Sequence, residues 1–575
     1  MAFPSRAAEP AARKHPALDA DLTVLRRNAK RWAELDLGRR IGYAEGLLRG
    51  LRRVASGQVA AALEAKGASP IQAGTSRIAA EEWIMGPVIS LRTVRLLVRS
   101  LRQIHHGGAV QVLPRDVRTR PGNRIALRVF PTSRIDQILY RGTRADVWMP
   151  PGVDRQELFA GMLPTYLRGD REARVALVLG AGNVASIAPL DAVYKLFNEG
   201  RVILLKLNPV NSYLEAFFED AFSELIEDGF VRIHRGDAEV GDYLCRHHEV
   251  DEIHVTGSSH THDAILFGSG EEGQRRKASN APRLAKPITS ELGNVSAVVV
   301  VPGAWSAADL DFHAENLVTQ MTHNAGFNCN ATKVIVTWKA WPQREALIAR
   351  IESRLAALPE RNAYYPGAGE RFDRFRAAYP GARSFGTRAE GRVPPTLLVG
   401  LDAEEGGLAF REESFCTFSA EVPLHAGDPE SFLRAAVDLC NERLYGTLNV
   451  GLIVHPVSRR RMRKTFADAV AALRYGTVAI NHWPAIGFAL GSTPWGAFPG
   501  HTPDDIQSGT GVVHNTYLID RPERTVIEGP FRLFPKPIWF AGHRHAAAAA
   551  RHLAALEFDQ STRHLTPLFW NAARG

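Results

Sequence analysis

The chain has 575 residues, 45% of them apolar and 23% charged, with a formal net charge of +9. That balance belongs to a folded globular protein with a sizeable core and excludes wholesale disorder, and its length predicts two large domains. The basic residues are spread along the chain rather than gathered in one block, which argues against nucleic acid as a partner. Four cysteines (Cys245, Cys329, Cys416, Cys440) show no C-x-x-C or zinc-site spacing, so neither a disulfide scaffold nor a structural zinc site is expected. No segment has the apolar length of a signal peptide or a membrane span, and the expected location is cytoplasmic and reducing.

The polar, proline-containing start, up to about residue 18, is expected to be loose. Three stretches then space their apolar residues at three and four: "LTVLRRNAKRWAEL", "RIGYAEGLLRGLRRVASGQVAAALEAKG" and "SLRTVRLLVRSLRQIHH". In the last, Arg92, Arg95, Arg99 and Arg102 form a basic face, expected to be solvated on a core-packed helix rather than laid on a membrane. Between Arg124 and Trp148 "RIALRVF", "QILYRG" and "ADVWM" alternate as short strands, and "MPPGVD" closes the section as a loop.

From "RVALVLGAGNVAS" to "VDEIHVTGS" apolar strands alternate with helices, the pattern of a doubly wound parallel sheet with its ligand at the carboxyl ends of the strands. A second α/β series runs from "SAVVVV" to "GTVAINH", and "RHAAAAARHLAALE" reads as a helix beyond about residue 530.

"VLGAGNVAS" fits the dinucleotide fingerprint G-x-G-x-x-A through Gly180, Gly182 and Ala185. The fingerprint wants an acid at the end of the next strand, and "VILLKLNP" supplies none. Asn183 is then either a helix cap or, at a helix start on the ligand edge, an amide that donates to a developing oxyanion. Cys329, in "NAGFNCN", is by itself either core packing or a nucleophile.

The order "GAGNVAS", "LLKLNP", "GDAEVGDYLCRHHEVDEIHVTGSS", "ITSELGN", "NAGFNCN", "REESFCTF", "LYGTLNVGL", "GTVAIN" resembles the aldehyde dehydrogenase superfamily over residues 120 to 515, approximately. The resemblance implies an α/β fold of two doubly wound, Rossmann-like parallel sheets and a small β oligomerisation element, hence a homodimer or homotetramer. The corresponding parts are a helical segment at 1–120, the β element at 121–150, a cofactor-binding domain at 151–290, a catalytic domain at 291–485, and a C-terminal return with an extra tail at 486–575.

By the same resemblance Cys329 is the nucleophile that attacks an aldehyde substrate, Glu291 the general base and Asn183 an oxyanion donor, with NAD or NADP as hydride acceptor. Lys206 would bond the adenosine ribose, with Gly236 and Gly241 following it in the family's glycine pair. Gly257 and Ser258 would open a helix beneath the pyrophosphate, and Leu292, Glu413 and Phe415 would meet the nicotinamide end. Pro209 stands where family members carry a glutamate that favours NAD, which leaves NADP open; His262, Cys416 and Thr417 replace the family's glycine, glycine and proline, and residues 268–287 look like an added loop. Oxidation to a carboxylic acid is the leading reading, because Glu291 is retained. A CoA-acylating dehydrogenase or acyl-CoA reductase, and a silent binding protein, are the alternatives. Phe327, Trp483 and Trp495 suggest an apolar tunnel but equally suit core packing.

Overall fold

The computed structural model describes residues 15–68 and 77–575. Residues 1–14, most of the segment expected to be loose, lie outside that range, and helix begins at Pro16, where proline's fixed φ suits a first turn. The helices Leu37–Ala65 and Ile89–Gly107 pack on each other, and Pro16–Ala33 lies against strands Val175–Leu179 and Val202–Leu207. No helix among the described residues is long and apolar enough to cross a membrane.

Two large sheets organise the rest. The six-stranded sheet has the order Gly509–Thr510, Ile288–Leu292, Glu252–Gly257, Val175–Leu179, Val202–Leu207, Val231–Arg235, parallel except at its first strand. The chain starts this sheet in the middle, at Val175–Leu179, and winds outward both ways, so the loops after Leu179 and Gly257 face each other at the switch point where doubly wound sheets bind ligands. Its strands are buried on both faces and read as apolar runs, "VALVL" and "VILLKL".

The eleven-stranded sheet has a parallel centre, in which Ala297–Val300 lies between Val334–Trp338 and Asn449–Ile453. Here single-residue alternation decides which core is filled: Ala297, Val299, Val334 and Val336 enter one cluster, while Val298, Val300 and Ile335 enter the cluster on the other face. Three antiparallel strands, Val117–Arg120, Arg124–Phe130 and Arg144–Trp148, extend this sheet beyond Arg524–Glu528.

Three local expectations fail for identifiable reasons. "QILYRG" is not a strand: Ser133 caps a helix over Arg134–Leu139 by accepting from the Asp136 N–H, and the buried Asp136 carboxylate receives the Arg92 guanidinium at 2.9 Å. The basic face of Ile89–Gly107 is not simply solvated. Arg92 is 1% exposed and meets Glu557 at 2.9 Å, and Arg95 pairs with the same carboxylate, because the helix Ala546–Asp559 covers this face; only Arg102, paired with Glu45, stays exposed. The inserted segment at 268–287 contains a helix, Gly270–Ala278, with acids in its first turn and bases in its last, as the helix dipole favours.

Candidate active site

The ligand edge of the six-stranded sheet and the loop that follows helix Ala307–Thr322 enclose a cavity of about 990 Å³. Asn183, Lys206, Gly241, Gly257, Ser258, Glu291, Leu292, Cys329, Glu413 and Phe415 all line it. Gly236 does not. It sits beneath the Lys206 side chain, where an added Cβ would come within 3.2 Å of the lysine Cε. Phe327, Trp483 and Trp495 are buried elsewhere and are not tunnel walls; the aromatic lining is Tyr365, Phe415 and Tyr445.

Cys329 is half-buried, and the Glu291 carboxyl lies close to its thiol. Burial first, then the nearby Glu291 and Glu413, push the thiol well above its ordinary range. Burial, aided by Asp191, also pushes Glu291 up to about 8, against the pull of the Trp495 indole N–H, which donates to its Oε1 at 3.1 Å. Trp495 and Trp483 therefore serve the site from behind, the latter by donating to the Asn330 carbonyl at 2.9 Å.

The loop carrying Cys329 is held in an improbable shape. Asn324, Ala325 and Gly326 are consecutively left-handed, with φ of 53°, 53° and 79°, which for Ala325 costs about 1–2 kcal/mol. The surroundings over-determine it. The Asn324 N–H donates to Glu81 at 3.1 Å and its amide to the Asn183 carbonyl at 2.8 Å, while its Oδ1 accepts from Lys66 at 3.1 Å and from the Tyr364 hydroxyl at 2.9 Å. Against the burial that would raise it, Arg361, His323 and Arg77 hold Glu81 down to about 2, so it stays an acceptor. Lys333 spans two strands' ends, donating to the carbonyls of Gly326 at 3.2 Å and Cys416 at 2.8 Å. Asn328 donates to the His323 carbonyl at 3.2 Å and so belongs to the brace.

Asn183 gives one amide hydrogen to the Phe327 carbonyl at 2.9 Å, fixing its head at the cavity wall beside Cys329. Packing requires both Gly180 and Gly182: a Cβ on the first would meet Ala188 at 2.5 Å and one on the second would meet Asn208 at 2.7 Å, and Gly180 also lines the cavity. Pro209 begins a short 3₁₀ turn capped by Asn208, and no acid follows that strand; the wall instead supplies Asp237, the N-cap of Ala238–Arg246. Burial lowers Lys206, with Asp237 opposing.

At the other end Ser258 caps the helix Ser259–Leu266, leaving that helix's first N–H groups at the cavity. Glu413 packs so closely on Gly293 that a Cβ there would lie 1.8 Å from its Oε2, and its Oε1 is buried without a hydrogen-bond partner. Burial raises Glu413 to about 7, with Lys333 and Arg371 opposing. Phe415 is left-handed at φ 39° and meets Tyr365 edge-to-face at 5.0 Å between ring centres.

Lys333, Tyr364 and Glu81 were not singled out from the sequence, and Trp495 was singled out only as a candidate tunnel wall. Only Lys333, a lone lysine in the apolar run "ATKVIV", carried a local signal.

Residues 181–363 match the model of the aldehyde dehydrogenase family. No curated protein matches the chain. Solved structures of similar fold include the NADP-dependent glyceraldehyde-3-phosphate dehydrogenase of Bacillus halodurans, at 16% identity over 89% of this chain and 90% of that one, with a TM-score of 0.58. The NAD-dependent aldehyde dehydrogenase of Sinorhizobium meliloti matches at 16% identity, 89% and 86% coverage and a TM-score of 0.59. An aldehyde dehydrogenase of Mycobacterium tuberculosis matches at 18% identity, 87% and 88% coverage and 0.57. The matching segment runs from the Asn183 loop past Cys329, and the fold of solved aldehyde dehydrogenases is shared over most of the chain's length.

Proposed function

We propose that the protein oxidises an aldehyde to a carboxylic acid, with NAD or NADP as hydride acceptor. The observation that carries this reading is the buried Glu291 carboxyl set beside the Cys329 thiol at the wall of the cavity. The Glu291 carboxylate takes the thiol proton as Cys329 attacks the carbonyl carbon, so that no free thiolate has to stand in the buried site. The free amide hydrogen of Asn183 and the Cys329 backbone N–H hold the resulting oxyanion. The cofactor, when bound, takes up the hydride, and a thioester remains on Cys329. Once the thiol proton has left Glu291, its carboxylate draws a proton from water, hydroxide adds to the acyl carbon, and the Cys329 sulfur leaves as a thiolate that this proton restores to the thiol.

The cavity fits such a cofactor: the buried, unpartnered Glu413 Oε1 suits a ribose hydroxyl, and the N-terminus of Ser259–Leu266 suits a pyrophosphate. Lys206, Gly257, Ser258, Leu292, Glu413 and Phe415 are the residues that would hold it. The Bacillus halodurans relative was solved with NADP and the Mycobacterium tuberculosis relative with NAD+, which supports the cofactor class.

An aldehyde panel assayed with both nucleotides, with and without CoA, tests the reading. The expected result is turnover without CoA, lost by at least about a thousandfold in Cys329→Ala while nucleotide binding is kept. Turnover that appears only with CoA, or full activity in Cys329→Ala, would overturn it.

A further inference from the structure

Each hydrolytic turnover would load Glu291 with a proton that must leave before the next, yet this residue is only 5% exposed. A line of polar side chains runs behind it. In adjacent parallel strands Thr256 is the register partner of Glu291, and His254 that of Thr289. Strand alternation puts all four on one face of the sheet, and helix Ile187–Val193 lays Asp191 across that face. Thr256 Oγ1 donates to Asp191 Oδ2 at 2.7 Å and lies 3.4 Å from His254 Nε2; His254 Nδ1 lies 3.0 Å from Thr289 Oγ1. Asp191 is 1% exposed, and its other oxygen, like Nε2 of the neighbouring buried His514, has no partner.

The two ends of this line open into different spaces. Thr256 shares the active-site cavity with Glu291, whereas His254 and Thr289 line a second cavity of about 480 Å³, with Tyr194, Glu199 and Asp520. Polar side chains are expensive in a core unless they bond one another, and a chain of them joining two cavities is not what packing alone selects.

We propose that Thr256, Asp191, His254 and Thr289 form a proton conduit that takes the proton from Glu291 out of the active-site cavity into the second cavity, with His254 as its obligatory relay. The proposal rests on the hydrolytic reading above. The Glu291 carboxyl passes its proton, by way of a water between them, to the Thr256 hydroxyl, which releases its own toward Asp191 and His254 Nε2. The imidazole then gives up its Nδ1 proton at Thr289. One proton enters and one leaves at each hop, and no electrons move. The titratable groups facing the line are Glu291, Glu413 and Cys329 on the active-site side and His514 beside Asp191.

The test is stopped-flow and steady-state kinetics of His254→Ala and Thr289→Val with an aldehyde that the wild type oxidises. The first turnover should release reduced cofactor as in the wild type, while steady-state turnover of His254→Ala falls about 10- to 100-fold. Imidazole added to the buffer should restore that rate saturably, because the space left by the side chain opens on the second cavity. Thr289→Val, which keeps shape and removes one hydroxyl, should show a smaller loss of the same kind. Steady-state rates within twofold of wild type in both variants, or a loss shared equally by the first turnover and unrelieved by imidazole, would overturn the conduit. A wild type that reduces neither nucleotide with any aldehyde, or turns over only with CoA, would instead overturn the hydrolytic reading.

Discussion

Trp495→Phe removes the indole hydrogen bond that favours the ionised form of Glu291. The indole donates to Glu291 Oε1 at 3.1 Å, and burial and Asp191 already hold the carboxyl up to about 8. A hydrogen bond to a charged group contributes about 1.5–3 kcal/mol, which at 1.36 kcal/mol per pKa unit is about 1–2 units. Phenylalanine keeps the edge-on ring packing against Phe488 but donates nothing, so the Glu291 pKa should rise further, to between about 9 and 10. At pH 7.5 the carboxylate fraction then falls about tenfold or more. The assay is the steady-state rate of cofactor reduction against pH: the rising limb should move to higher pH by one to two units, approximately, with activity recovering on the alkaline side. A limb that stays in place, or moves to lower pH, would refute the assignment of Glu291 as the titrating base or the direction of Trp495's influence.

The burial that raises Glu291 also makes its charge a burden on the fold. With a folded pKa of about 8 against an ordinary 4.5, its favourable contribution is complete below that lower value and is lost as pH rises through 8, by up to about 5 kcal/mol. Glu291→Gln should therefore unfold at higher denaturant than wild type at pH 8 to 9 and at an equal concentration at acid pH, and both its first turnover and its steady state should fall. Gly326→Ala forces a Cβ to 2.7 Å from the Cys416 carbonyl carbon at φ 79°; denaturant unfolding should show a loss of about 2–4 kcal/mol, together with lost activity. Asp237→Asn removes a carboxylate from the wall beside Lys206, and kcat/KM for NADP relative to NAD should rise severalfold, as expected when a like charge no longer faces a 2′-phosphate.

Apolar periodicity made the parallel sheets and long helices readable, because "VILLKL" or "VALVL" buries the same way wherever the chain places it. The strand expected at "QILYRG" failed for the opposite reason. Its helix depends on Asp136 being drawn to Arg92, a partner 44 residues away that no local pattern announces. The catalytic candidates were legible only as an ordered series; nothing in "NAGFNCN" alone distinguishes chemistry from packing. What supports them was not legible, since Trp495 reaches Glu291 across 204 positions and Lys66 reaches Asn324 across 258. His254 looks like any core histidine until the register partner of Thr289 is known.

The clasp of Glu557 on Arg92 and Arg95 sets an order of assembly. The helix Ile89–Gly107 is made early, yet the carboxylate that neutralises its buried guanidinium arrives more than 460 positions later. Until then Arg92 has Asp136 and the Leu490 carbonyl but lacks its second carboxylate, and removing a partner from a buried charge costs about 3–5 kcal/mol. Chains stopped before residue 546 should therefore keep the helix Ile89–Gly107 in a looser, protease-sensitive state.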